Sequence, residues 1–266
     1  MSKVFADLAK YQGSSPAFFS ALQSSYNCQG AIVQLTYGNY PAYDNYQAPY
    51  QVFNGYKAFG IISAYHFYMG NPVAEANYFL KHVKQYGLDK STLLAIDVED
   101  GSLSGNLTAQ TNQFLDVLYN AGYHNLAVYS MESWFGSKII TSQLHHSPKI
   151  WVANISYEPH MKYDAWQYTW TGHAGGSDVD LSLDKTGHFT SAEKPKQATY
   201  WYKGKLFEAK SMLNTYSDLH LKSKRNPRFG TKSRFYADVV KDGKVTRLKT
   251  HLGYVSANTD FSHRIK

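Results

Sequence analysis

The residues whose types and spacing best suit chemistry are Asp97 and Glu99, at the end of Thr92-Leu93-Leu94-Ala95-Ile96-Asp97-Val98-Glu99-Asp100-Gly101. Read as a β-strand, this run puts Leu93, Ala95, Asp97 and Glu99 on one face and Leu94, Ile96 and Val98 on the other. Burying two acids on one face is costly, because a desolvated carboxylate without partners loses several kcal/mol or takes up a proton. General acid catalysis needs that situation, one carboxyl kept protonated beside another that stays ionised. The other reading is a strand end opening into a solvated turn, with Asp100 and Gly101 as turn residues. The stretch by itself leaves both open.

Elements that would position such a pair are legible around it. Val4–Leu8, Ala31–Tyr37, Gly60–Tyr68, Asn125–Ser130, Lys149–Ile155, Ala165–Thr169 and Val179–Leu183 read as further strands, making eight with the carboxylate run. Pro72–Tyr86 reads as a helix with Val73, Ala76, Leu80 and Val83 on one face and Gly87 as its stop; Leu107–Asn120 reads as a second, ended by Gly122. Strands alternating with helices imply a parallel α/β fold. Eight strands in so short a span leave no room for eight full helices, so an irregular (β/α) barrel with reduced helices is expected over residues 1–190.

In such a barrel, sites form at the carboxyl ends of the strands, and polar side chains recur there. The first strand ends at Asp7, the third in Tyr65-His66-Phe67-Tyr68, the fifth at Tyr129, the seventh in Trp166-Gln167-Tyr168, and the eighth carries Asp180. Four carboxylates, Asp7, Asp97, Glu99 and Asp180, would then ring one aromatic-lined mouth. His66 has no second histidine at ligand spacing and His145-His146 falls in a loop, so no metal is expected and His66 reads as a core or hydrogen-bonding residue. Cys28 has no evident base beside it. Tyr43, Tyr46, Tyr50 and Tyr56 lie in a loop-like stretch, where packing the loop down is the favoured role over extending a groove.

The chain has 266 residues, 43 % hydrophobic and only 18 % charged, enough for a real core and against disorder. Aromatics reach 16 %, with 23 tyrosines, a composition that suits sugar-stacking surfaces and also aromatic-rich barrels. One cysteine excludes an intrachain disulfide. The N-terminus lacks a signal-peptide core, and no run is long enough to cross a membrane; a chain made in the cytoplasm, with no membrane insertion, is expected. Charge is uneven. From Lys194 onward 17 basic residues face 5 acidic ones, a net +12, while the 10 basic and 15 acidic residues before it give −5. A basic tail on an acidic body implies a polyanionic partner. Residues 191–198 read as a polar linker, and 199–266 as a small all-β domain of short strands within Tyr200–Lys210, Ser233–Lys241, Gly243–Lys249 and Gly253–Ser256. Lys241-Asp242-Gly243-Lys244 supplies a hairpin signal there.

Taken in order, Asp7-x-x-x-Tyr11-Gln12-Gly13, Ala64-Tyr65-His66-Phe67-Tyr68, Ala95-Ile96-Asp97-Val98-Glu99, Ile150-Trp151-Val152-Ala153, Trp166-Gln167-Tyr168 and Val179-Asp180-Leu181 resemble the glycoside hydrolase family 25 lysozymes, the muramidases of phage endolysins and bacterial autolysins. Ala9 and Ser182 depart from that pattern, which often has Ser and Asn there. The resemblance implies a flattened barrel that hydrolyses the β-1,4 bond between N-acetylmuramic acid and N-acetylglucosamine in peptidoglycan, without a cofactor. It implies Glu99 as general acid, Asp97 as its partner, and Asp7 and Asp180 shaping the charge around them. Residues i and i+2 of a strand lie roughly 6.5–7 Å apart at Cα, between the separations of retaining and inverting pairs. A substrate-assisted route, with the 2-acetamido oxygen attacking, Asp97 orienting it and Tyr65 or Tyr129 holding it, is favoured; Trp166 and Gln167 join the substrate-binding set. A chitinase-like N-acetylhexosaminidase and a non-catalytic wall-binding protein are the competing readings. The tail, with Gly253-Tyr254-Val255-Ser256-Ala257-Asn258 after a muramidase, resembles small SH3-like wall-binding modules, which implies binding to bacterial walls and their anionic polymers. Nucleic acid is the disfavoured partner for its basic, aromatic surface. An endolysin of this kind would leave the host cytoplasm through membrane holes to reach the wall.

Overall fold

In the computed structural model, the strand that ends in Asp97 runs from Leu94 to Asp97, and its side chains alternate as the pattern requires. Leu94 and Ile96 join an outer layer of buried side chains, Ala95 an inner one. The structure describes residues 2–191, 200–243 and 245–266, so all but Ser191 of the expected linker lies outside the described residues. The chain divides into two compact units, Met1–Glu193 and Lys194–Lys266.

The first unit is a closed eight-stranded barrel, β1 (Lys3–Leu8), β2 (Cys28–Tyr37), β3 (Ser63–Phe67), β4 (Leu94–Asp97), β5 (Leu126–Met131), β6 (Lys149–Ala153), β7 (Ala165–Ala174) and β8 (Ser177–Asp184), paired in that order. Pairing is parallel from β1 to β7, but β8 runs antiparallel to both β7 and β1. The expected eighth parallel strand is therefore corrected. Gly175 and Gly176, both at positive φ, turn the chain straight back after β7, a two-residue hairpin that only glycine enters without strain.

Four helices cover the barrel: α1 (Pro16–Tyr26), α2 (Ala48–Phe59), α3 (Pro72–Gln85) and α4 (Leu107–Asn120). Among the described residues, a single 3₁₀ turn, Thr141–Gln143, stands between β5 and β6, and no helix follows β6 or β7. The expected helices are α3 and α4. Of the other two, α2 is hidden for a physical reason. The buried side of α2 is Ala48, Gln51, Val52 and Gly55, an apolar stripe broken by an amide and a glycine. Gln51 is fully buried because its amide donates to the carbonyls of Ala9 and Gln12 and accepts from Asn45. Gly55 is needed because a Cβ there would meet Ile62 at 2.8 Å. Helix α1 carries ordinary caps, Ser15 accepting from the Phe18 N–H and Asn27 in the left-handed region.

Two apolar layers hold the unit together. Between strands and helices lie Phe18, Phe79, Leu80, Phe114, Leu118 and their neighbours. His66 belongs to that layer: its ring nitrogens bond Thr36 Oγ1 at 2.8 Å and Glu75 Oε2 at 2.7 Å, and burial holds its imidazole below the ordinary value. Inside the barrel, small residues Ala95, Ala127 and Ala165 leave room for Trp151, which contacts Tyr65 and Tyr129. Phe189 plugs the lower end, stacked on Phe5 at 4.7 Å. Asp184 fixes that plug by accepting from the backbone N–H groups of Thr186, Gly187, Phe189 and Thr190 and from the Thr190 hydroxyl. Asp184→Ala is expected to lower unfolding free energy by about 3–5 kcal/mol, since it orphans several buried donors at once. Urea denaturation of the variant checks this.

The second unit is all-β. β10 (Leu213–Tyr216), β11 (Lys224–Phe229), β13 (Asp238–Asp242), β14 (Val245–Thr250) and β15 (Gly253–Ser256) form a five-stranded sheet in the order β11-β10-β15-β14-β13. β9 (Leu206–Ala209), β12 (Arg234–Tyr236) and β16 (Ser262–Arg264) form a second, in the order β12-β9-β16. The hairpin expected at Asp242-Gly243 is present, with Asp242 opposite Val245. The expected strand Ser233–Lys241 is two strands in different sheets, and β10, β11 and β16 were not anticipated. β11 reads poorly because it is exposed and contains Pro227, which an edge strand tolerates. Phe207, Phe229 and Phe235 form the core with Leu248 and Val255, so these rings are not free for stacking on a ligand. No helix among the described residues is long and apolar enough to cross a membrane.

Candidate active site

Strand alternation and register bring Asp7, Asp97, Glu99 and Asp180 to one mouth of the barrel. Asp97 closes β4 and Glu99 follows two residues on, past the buried Val98. Asp7 on β1 stands directly opposite Asp180 on the antiparallel β8. Asp180 thus reaches the mouth from near the amino end of its strand, not the carboxyl end expected from a parallel arrangement.

Each acid has a distinct neighbour. Tyr65 stands beside Asp7 and Tyr129 beside Glu99, each favouring the ionised carboxylate. Gln167 Nε2 donates to Asp180 Oδ2 at 2.9 Å. Asp97 is 4 % exposed, and its Oδ1, like Asp7 Oδ1 and Gln167 Oε1, is buried with no hydrogen-bond partner. All four carboxyls are pushed above the usual range. Burial is the largest cause for each; the charges of Asp180 and Glu99 add to it at Asp7, those of Glu99 and Asp7 at Asp97, and that of Asp180 at Glu99. The Tyr129 hydroxyl beside Glu99 and the hydrogen bond from Gln167 to Asp180 oppose the rise. Four such groups cannot all ionise together, so the mouth holds protons at pH values where free carboxylates have lost theirs. The site can therefore offer a proton from one acid while another bears charge, the requirement for general acid catalysis.

Substrate-sized space opens beside them. A cavity of about 470 Å³ is lined by Glu99, Tyr129, Asp180, Gln167, Tyr157 and Trp170, among others. A larger, mostly apolar cavity of about 750 Å³ lies against α2 and the amino end of β4, and it contains none of the four acids; the chemistry belongs to the smaller one. Tyr157 and Trp170 are more than half exposed, flat rings beside the acids. Neither was anticipated, since Tyr157 lies in an irregular loop and Trp170 beyond the expected end of its strand. Further rings collect near Asp100: Tyr37, raised by partial burial and by the Asp100 charge, sits among Tyr43, Tyr11 and Tyr40 and stacks on Phe67 at 4.6 Å.

Some expected residues are placed elsewhere. Trp166 points out of the barrel, packs in the outer layer and donates its indole N–H to the Asn154 carbonyl at 2.6 Å. Its neighbours Ala165 and Gln167 face inward, and adjacent residues of one strand cannot share a face. Tyr43, Tyr46, Tyr50 and Tyr56 do not pack a loop down; they are 56–71 % exposed, and the last two ride on α2. Ser182, one of the two departures noted above, accepts the Trp151 indole N–H at 3.0 Å and so helps fix the inner ring beneath the acids.

Solved structures share this fold. The catalytic domain of an endolysin from bacteriophage P40 of Listeria monocytogenes is 23 % identical, with a TM-score of 0.58 over 71 % of this chain and 96 % of that one. A glycosyl hydrolase 25 of Streptococcus pneumoniae, described as participating in host cell invasion, is 21 % identical, with a TM-score of 0.59 over 71 % and 92 %. The bacterial lysozyme of Streptomyces coelicolor is 24 % identical, with a TM-score of 0.52 over 68 % and 91 %. A search of curated proteins finds no match. The model of the glycosyl hydrolases family 25 matches residues 6–177, well over half of the sequence. This chain belongs to that family, and it is a glycoside hydrolase.

Proposed function

We propose that the enzyme is a muramidase, cleaving the β-1,4 bond from N-acetylmuramic acid to N-acetylglucosamine in peptidoglycan. The observation that carries this is the mouth itself: Glu99, raised above the usual carboxyl range, beside the more deeply buried Asp97, within a cavity walled by exposed aromatic rings. Glu99 protonates the glycosidic oxygen as the bond to C1 breaks. The 2-acetamido oxygen attacks C1 from the other side, while Asp97, with one oxygen lacking any partner, accepts the acetamido N–H. Glu99, now ionised, takes a proton from water, which opens the resulting oxazoline. Asp7 and Asp180 raise the proton affinity of the pair, and Tyr65 and Tyr129 hold Asp7 and Glu99 in place. Trp170 and Tyr157 on the cavity wall, and Tyr11, Tyr40 and Tyr43 near Asp100, offer flat rings to pyranose faces.

This route retains configuration at C1. Proton NMR of the first product released from a soluble glycan fragment is expected to show the β-anomer; the α-anomer appearing first would rule the route out.

The second unit reads as an SH3-like module for walls and their anionic polymers. Support comes from its net +12 and from the exposed edge strand β11, which presents Lys224, Arg225 and Arg228.

A further inference from the structure

Away from the catalytic mouth, one group of side chains has the composition of a metal site. Asp116 on α4 and His145 and His146, just before β6, place one ligand atom each within 4.8 Å of one another. His146 Nε2 lies 2.6 Å and His145 Nδ1 3.0 Å from the same oxygen, Asp116 Oδ1. Side chains of adjacent residues normally diverge. Here they converge because His146 and Ser147 both adopt the left-handed region, at φ 64 and 50, which swings the two imidazoles to one point.

The loop does not need these imidazoles to stay on the helix. Thr108, Asn112 and Asp116 recur every four residues along one face of α4. Thr108 Oγ1 accepts from the Ile140 N–H at 2.9 Å; Asn112 accepts from the His145 N–H at 2.8 Å and donates to the Gln143 carbonyl at 2.8 Å. The loop is thus pinned before the histidines are reached, and partly exposed His–Asp pairs add little stability. Two left-handed non-glycine residues cost on the order of 1–3 kcal/mol each, which calls for a use of the convergence. His146 is further held by stacking on Tyr119, with ring centroids 3.8 Å apart and an interplanar angle of 8°.

We propose that Asp116, His145 and His146 bind a zinc ion. Two imidazoles and one carboxylate are a three-ligand zinc set, with the remaining position open to water because the side chains are 23–54 % exposed. Bonds of 2.0–2.1 Å in a tetrahedron separate ligand atoms by roughly 3.3 Å, so the group reaches zinc geometry by small side-chain shifts. Metal takes the place of the His–Asp hydrogen bonds: a neutral imidazole frees its binding nitrogen by carrying its proton on the other ring nitrogen, and a protonated one releases a proton to solvent. The site lies at the amino ends of β5 and β6, the opposite end of the barrel from Glu99, so it takes no part in cutting glycan.

Untagged full-length protein, stripped with a chelator, is to be titrated calorimetrically with ZnCl₂. One equivalent is expected to bind, at least tenfold more weakly in His145→Ala, His146→Ala and Asp116→Asn, with peptidoglycan hydrolysis unchanged. Zinc is expected to raise the melting temperature of the native protein but not of the double histidine variant. Cobalt(II) provides a readout independent of variant folding: intense visible bands of low-coordinate cobalt support the site. Only the faint spectrum of the hydrated ion, no binding at millimolar zinc, or equal binding in the double variant would overturn it.

Discussion

Glu99→Gln is expected to lower kcat on purified peptidoglycan by about 10²–10⁴-fold, the usual worth of a positioned proton donor, while retention on intact walls stays unchanged. The amide keeps the shape of the side chain on the same cavity wall as Tyr129, so the cavity and the neighbouring acids are preserved. What it loses is the proton. Because that proton is transferred only at the transition state, kcat and kcat/KM should fall together, with KM little altered. The native enzyme should lose activity as pH rises through the raised Glu99 value, since the donor must be protonated; that alkaline limb should be missing from the residual rate of the variant. A loss expressed mainly in KM would make Glu99 a binding residue and remove it from the chemistry.

Asp97→Asn is expected to cripple turnover and, at the same time, to stabilise the protein at neutral pH by about 0.5–2 kcal/mol, the range typical of relieved functional strain. The direction follows from linkage. Burial, then the charges of Glu99 and Asp7, raise the folded-state value of Asp97 well above that of an ordinary carboxyl. A raised acid binds its proton more tightly when folded. Its stabilising contribution is full below the unfolded value and declines as pH rises from there through the folded value. At neutral pH the native protein therefore carries the cost of a crowded, buried acid, and asparagine removes it without orphaning a new atom, since Asp97 Oδ1 already lacks a partner. Urea unfolding across pH 4–8 should show the gap between variant and native widening toward the alkaline side. A variant less stable at pH 7, with an unchanged pH slope, would mean that Asp97 is held ionised by its surroundings.

The positions of these acids were readable because alternation is a strict rule. One apolar strand ending Asp-x-Glu, and single acids on two others, are enough to predict a ring of carboxylates, and the register of β1 against β8 places Asp7 and Asp180 face to face. The same rule, applied to Trp166 and Gln167, would have shown that only one of them can face the mouth. Other features were hidden by exceptions to pattern. Gln51 and Gly55 break the stripe of α2 because one binds the β1–α1 loop and the other admits Ile62. The reversal of β8 depends on the Gly175-Gly176 turn, which marks a hairpin but does not say that the returning strand will close the barrel. Asp184 and Phe189 carry no sequence signal, because a plug formed by the chain folding under its own barrel has no periodicity. In the second unit, three strands of the sheets were missed where a proline, or a run of only three or four residues, left no alternation to read.

The central claim is the bond that is cut. Purified peptidoglycan is to be digested to completion, the new reducing ends reduced with borohydride, and the sugars hydrolysed and identified. Muramicitol appearing in step with solubilisation is the predicted result, since cleavage on the far side of N-acetylmuramic acid leaves that sugar reducing. Glucosaminitol in its place, or no new reducing end at all, would contradict the assignment of Glu99 and Asp97 to a muramidase.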